Sequence, residues 1–187
     1  MKEEIEKALA ILNAGGIILY PTDIVWGIGC DATNCEAIEK IFTLKKRQAD
    51  KSLILLLDQD IKLNKYVKEV PELAWDLVEF AENPLTVIYP DGRGVCPTLI
   101  ADDKSIAIRI VKNIFCKQLI NRLKNPLVST SANISGNPTP TNFDEISQEI
   151  KDSVDYIVNL EQDKTSAAKP STIIKLDASG LFTFIRR

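Results

Sequence analysis

Apolar positions along this chain recur with two spacings, one close to every third or fourth residue and one that is either alternating or continuous. In the first segment Ile5, Leu9 and Leu12 fall four and three apart, which predicts an amphipathic helix over residues 3–14, ended by a left-handed turn at Gly15-Gly16. GIILYP then reads as a strand, Pro21-Thr22-Asp23 as a turn, and IVWGIGCD as a second extended segment. Thr33-Asn34-Cys35-Glu36 resembles a helix cap. The helix it opens places Ile38, Ile41 and Phe42 on one face and ends in Lys45-Lys46-Arg47. SLILLL, residues 52–57, has almost no polar position, the pattern of a strand covered on both faces at the centre of an α/β sheet.

Beyond it, PELAWDLVEFA predicts a helix with Pro71 in its first turn, and further helices are expected near 114–124 and 142–151. Strands are expected at PLTVIYP, SIAIRIV, PLVST, VDYIVNL, STIIKLD and LFTFIRR, with DASG as a hairpin between the last two. The interleaving of strands and helices predicts an α/β fold: an open, twisted, mixed sheet with helices on its faces, in one domain spanning residues 1–187.

Composition narrows the chemistry. A net charge of −3 excludes a protein that coats nucleic acid through bulk charge, though not one with a local basic patch. The amino-terminal stretch MKEEIEKALAILNAGG resembles neither a secretory signal nor a membrane span, so a cytoplasmic location is expected. In that compartment Cys30, Cys35, Cys96 and Cys116, which form no CxxC pair, are expected as reduced thiols. The chain has no histidine, which removes Ser-His and Cys-His nucleophile pairs and histidine-containing zinc sites. Chemistry must run on Lys, Arg, hydroxyls, amides and carboxylates.

Four constellations offer such groups. KKRQADKS, residues 45–52, is either a solvated helix end meeting the negative pole of the dipole or an anion clamp in which Arg47 supplies a bidentate fork. In SIAIRIV, Ile106, Ile108 and Ile110 share one face and Arg109 projects from the other, either as the wet side of an edge strand or as a carboxylate or phosphate receptor. Gly27-Ile-Gly29-Cys-Asp-Ala32 is a formal GxGxxA, but the helix cap lies further on, at Thr33 or Asn34, which favours a close strand contact over a dinucleotide turn. PLVSTSANISGNPTP places Ser129, Thr130, Ser131 and Asn133 at the end of an apolar strand. These groups either bond their own backbone or line a ligand site at the carboxyl edge of a sheet.

Taken in order, PTDIVWGIGCDA, LKKRQADKSLILLL, IAIRIV, PLVSTSANISG and KPSTIIKLDASGLFTFIRR resemble the YrdC/TsaC family of threonylcarbamoyl-AMP synthases over residues 17–187, in the short form. The resemblance implies a sheet around a large concave cavity and a nucleotidyltransferase reaction. In it L-threonine, bicarbonate or CO2, and ATP give threonylcarbamoyl-AMP and pyrophosphate. The product serves tRNA modification beside the anticodon, with a downstream threonylcarbamoyl-transferase complex as partner and direct tRNA contact left open. Carried over by position, Lys45 and Arg47 hold the triphosphate, and Ser129, Thr130, Ser131 and Asn133 line the nucleotide and carbamate region. Thr22, Arg109 and Ser171 hold threonine, and Arg186 closes over the nucleotide. Mg2+ on the phosphates is implied by the chemistry, with no protein ligand assigned to it. Two rival readings are a carbamoyl-adenylating relative and a noncatalytic RNA-binding module that uses the same cavity.

Overall fold

The computed structural model describes residues 1–46, 53–165 and 170–186. Nine strands form one sheet: β1 (Ile18–Tyr20), β2 (Gly27–Gly29), β3 (Ile54–Leu57), β4 (Leu85–Tyr89), β5 (Ile106–Ile110), β6 (Leu127–Ser131), β7 (Tyr156–Ile157), β8 (Thr172–Leu176) and β9 (Phe182–Arg186). Their order is β7-β1-β2-β6-β3-β5-β4-β8-β9. The continuously apolar β3 lies at the middle of the sheet, where a strand has no wet face. The sheet is mixed: β3 with β5, β4 with β8 and β1 with β7 run parallel, the other neighbours antiparallel.

Six α-helices and two short 3-10 helices (Asp60–Lys62 and Pro97–Leu99) complete the described chain, the α-helices being α1 (Lys2–Asn13), α2 (Cys35–Leu44), α3 (Leu63–Tyr66), α4 (Glu72–Glu79), α5 (Ile114–Leu123) and α6 (Gln148–Ser153). Asn34 caps α2 by accepting the Ala37 N–H, and Gly15 takes the left-handed conformation just past α1, with φ +78°. One face of the sheet carries Leu55, Leu57, Val87, Ile108, Val128 and Ile174 into a core closed by α2 and α4. On the other face Ile18, Tyr20, Leu56 and Leu127 are covered by α1 and α5. These two helices cover only part of that face, and the remainder is the floor of a cavity.

The strip joining β7 to α1 depends on a buried carboxylate. Glu4, 8% exposed, accepts from the Tyr156 hydroxyl and the Asn159 N–H, both at 2.7 Å. Burial pushes its pKa up, but the Tyr156 and Asn159 bonds and the Lys7 charge together bring it below the ordinary value of 4.5. A carboxyl whose folded pKa is depressed stabilises the fold above its unfolded pKa, and the contribution is lost as pH falls through the folded value. Glu4→Gln should therefore lower stability at pH 7 by about 1–2 kcal/mol. In urea titrations the gap to wild type should close as the pH is taken below about 4.5. A gap that persists unchanged at pH 3, or is absent at pH 7, would contradict this role.

Three expectations need correction. The helix expected over 142–151 is shorter: Glu145 caps the Thr141 N–H with its carboxylate and gives its own N–H to Asn142. These bonds hold the segment in turns until α6 begins at Gln148. Pro71 precedes α4 as its cap instead of lying in its first turn. The cysteines are not all reduced thiols. Cys35 and Cys96 form a disulfide across 61 residues, with Cα atoms 5.4 Å apart. The Cys96 N–H donates to the Ala32 carbonyl, which brings the loop before residues 97–99 against the start of α2. That closeness is a product of folding and has no signature in cysteine spacing. Cys30 and Cys116 are buried and free, and burial raises both thiols far above their ordinary range. Among the described residues no helix is long and apolar enough to cross a membrane.

Candidate active site

The cavity, about 460 Å³, lies on the face of the sheet that α1 and α5 leave open. Its floor follows from strand register, because residues directly opposite one another in a sheet share a face. Arg109 of β5 pairs with Thr86 of β4, Thr86 with Ile173 of β8, and Ile173 with Arg186 of β9, so four neighbouring strands contribute one row with an arginine at either end. The register between β8 and β9 slips at Ile173/Ile174, next to the residue that faces Arg186. On the other side of the floor Ile54 pairs with Ser129, and Gly27 with Ser131.

Arg109 is 5% exposed and stands on an interior strand between β3 and β4, which rules out the wet face of an edge strand. Its Nη2 lies 3.2 Å from Asp23 Oδ1. Arg186 donates from Nε and Nη2 to the Ser171 carbonyl at 3.0 and 2.9 Å, and from Nη2 to Ser171 Oγ at 3.2 Å. Ser171 Oγ in turn shares a hydrogen bond with Thr86 Oγ1 at 2.9 Å. Partial burial and then the Arg109 charge lower the pKa of Arg186, as expected for two cations in one hollow. The described residues lining this cavity include both arginines and no carboxylate. A chain of net negative charge thus gathers two guanidiniums in one hollow, that of Arg109 paired with Asp23.

Of the residues singled out from sequence, Thr22, Arg109, Ser129, Thr130, Ser131, Ser171 and Arg186 all line this one cavity. Thr22 Oγ1 donates to the Val25 carbonyl and accepts the Ile24 N–H, which fixes the β1–β2 loop along the rim. Asn133 sits just outside: its Nδ2 donates to the carbonyls of Ile134 and Asn137 and its Oδ1 accepts from Ser131 Oγ, so it braces the loop after β6. Lys45 is 2% exposed and donates from Nζ to the carbonyls of Ser131 and Asn133 at 2.6 and 2.7 Å. The end of α2 and the polar end of β6 are therefore joined through Lys45. Arg47 lies outside the described residues.

Reasoning from sequence missed Asp23, Thr86 and Trp26. Asp23 was visible only as a turn residue, and its partner across the sheet leaves no local trace. Thr86 did carry a signal, a hydroxyl within the apolar strand PLTVIYP. Trp26 lines the cavity and packs on Phe143 with ring centroids 4.9 Å apart. The GxG segment is close strand contact: a Cβ at Gly27 would lie 3.3 Å from Ser129 Oγ, and α2 begins well after it at Cys35.

For a divalent metal the donor set is poor. The described lining residues offer hydroxyls and cations, and no group of three or more His, Cys, Asp or Glu side chains among the described residues is placed to hold an ion. A protein-held metal does not fit this cavity.

The threonylcarbamoyl-AMP synthase of Idiomarina loihiensis is 35% identical over 162 residues, covering 85% of this chain and 86% of that protein. The structure of P. abyssi Sua5 complexed with L-threonine superposes with a TM-score of 0.85 at 27% identity, over 94% of this chain. This chain spans about half of that protein, 52%. E. coli YciO superposes equally well, TM-score 0.85 at 26% identity, over 100% of this chain and 89% of its own. The family model Sua5_yciO_yrdC, described as telomere recombination, matches residues 10–187, and the chain belongs to this family.

Proposed function

We propose that this protein is a threonylcarbamoyl-AMP synthase, a nucleotidyltransferase acting on L-threonine, bicarbonate or CO2, and ATP. The observation that carries the reading is the convergence of Arg109, Arg186 and hydroxyls from five separate strands and loops on one cavity whose described lining has no carboxylate. Relatives that share the family bear this name, and P. abyssi Sua5 binds L-threonine on the same fold.

In this reading the neutral amine of threonine captures CO2 and releases a proton, giving a carbamate. A carbamate oxygen then bonds to the α-phosphorus of ATP as the bond from that phosphorus to the bridging oxygen breaks, and pyrophosphate leaves. The nucleophile is already ionised at neutral pH, so the step needs alignment and cationic stabilisation of phosphate oxygens more than a general base. That demand suits a chain without histidine. Arg109 and Thr22 bind threonine with Ser171, Arg186 lies over the nucleotide, and Ser129, Thr130 and Ser131 face the phosphates and carbamate. Lys45, Arg47 and Asn133 complete the phosphate side, Lys45 and Asn133 by shaping the loop after β6. Magnesium would enter on the triphosphate. The adenylate passes to a threonylcarbamoyl-transferase complex that modifies tRNA.

Pyrophosphate release from ATP should require threonine and bicarbonate together. Release indifferent to threonine would defeat the reading. Salt-sensitive tRNA binding without adenylate formation would favour the RNA-binding module instead.

A further inference from the structure

We propose that Asp23 is the positioning residue for Arg109, and that it sets the affinity for the amino-acid substrate without touching it; the inference rests on the synthase reading. Asp23 belongs to the loop between β1 and β2, and its side chain is 10% exposed. Oδ1 lies 3.2 Å from Arg109 Nη2, while Oδ2 accepts the Lys112 N–H at 3.2 Å. The carboxylate is thereby tied both to the guanidinium and to the backbone just beyond the strand that carries it.

The pair stands in the wall between two hollows. Arg109 lines the 460 Å³ cavity and Asp23 does not, whereas Asp23 lines an adjoining cavity of about 430 Å³ and Arg109 does not. A ligand in the first cavity thus meets the guanidinium with the carboxylate behind it. Arg109 Nε is buried and has no hydrogen-bond partner among the described residues. A buried donor without an acceptor is unfavourable. A substrate carboxylate would supply that acceptor, while Asp23, whose Oδ1 pairs with Nη2 by charge and makes no hydrogen bond among the described residues, restrains the guanidinium and offsets its charge. Without Asp23, Arg109 would have to be oriented by the ligand itself, at a cost to binding.

Asp23→Asn keeps the size and the capacity to accept from Lys112 but removes the charge. It should raise the KM for threonine by about tenfold or more while the KM for ATP and kcat at saturating threonine stay within about threefold. Asp23→Glu, which restores the charge one methylene further out, should recover part of the loss. In an Arg109→Gln background Asp23→Asn should add less than about twofold, because the two act as a unit. Titration calorimetry with L-threonine gives the same comparison without turnover. If Asp23→Asn does not fold, the Asp23→Glu variant and the Arg109→Gln double variant carry the comparison. An unchanged threonine KM in folded Asp23→Asn would overturn the inference, as would losses that multiply in the double variant. A fall in kcat with no threonine-specific change would point to a merely structural role and overturn it too. Wild-type protein that neither binds threonine nor requires it for pyrophosphate release would instead overturn the synthase reading and this inference with it.

Discussion

Replacing Lys45 with methionine should reduce threonine-dependent pyrophosphate release by about a hundredfold, since hydrogen bonds from a charged group contribute about 1.5–3 kcal/mol each and those to the carbonyls of Ser131 and Asn133 are lost. The ammonium is almost wholly buried, so water does not replace it at the carbonyls of Ser131 and Asn133 without reorganising the loop. The same residue holds that loop a third time, through its carbonyl, which accepts the Ser135 N–H at 3.0 Å and which the substitution leaves in place. The expected picture is therefore a protein that folds but whose polar strand end is loosened. Amide hydrogen exchange should quicken over residues 131–137, and activity should fall in parallel. Wild-type turnover in Lys45→Met, or a loss of activity with no change in exchange, would show that Lys45 does not act by shaping this loop.

The largest effect on stability is expected at Gly29. A Cβ placed there would come within 2.1 Å of the Val128 carbonyl oxygen and 2.8 Å of Tyr20 Cε1. Neither neighbour can yield. The carbonyl is backbone of β6 and already accepts the Tyr20 hydroxyl at 3.0 Å, and the tyrosine is fully buried. Gly29→Ala must push β2 away from β6, the pair that brings Gly27 opposite Ser131, and should destabilise the protein by about 3 kcal/mol. In a chain of this length that corresponds to a fall in Tm of roughly 10 °C, with activity impaired because Ser129 to Ser131 shift as well. Gly136→Ala provides the contrast. Its Cβ would meet nothing within 4 Å, and only the positive φ of +90° is strained, so a loss of about 1 kcal/mol is expected. Equal losses at the two glycines would mean that close packing of β2 is not what Gly29 provides.

Much of the fold was legible because its signals are local. SLILLL could be placed at the sheet's centre from its lack of polar positions, and SIAIRIV declared the face of Arg109 through alternation, which β5 bears out with Ile108 in the core and Arg109 over the cavity. The cap at Asn34 and the turn at Gly15 were likewise written in neighbouring residues. The site was legible as a set of polar residues at strand ends, but their grouping came from the family resemblance. Composition argued for an acidic protein, yet the cavity gathers Arg109 and Arg186 with no carboxylate in its described lining, because charge is distributed by folding and not by totals.

By itself, the sequence determined most of the strands and the longer helices and which side of each turns inward, since these follow from spacings of two to four residues; the short helix Leu63–Tyr66 and the start of α6 were not among them. Tertiary structure alone decided that Asp23 meets Arg109, that Lys45 reaches the carbonyls beyond β6, and that Cys35 is bonded to Cys96. Each of these contacts joins distant parts of the chain through a particular strand order and register. A polar or charged side chain carries no mark of its partner until that closure brings the two within about 3 Å in a place water does not reach.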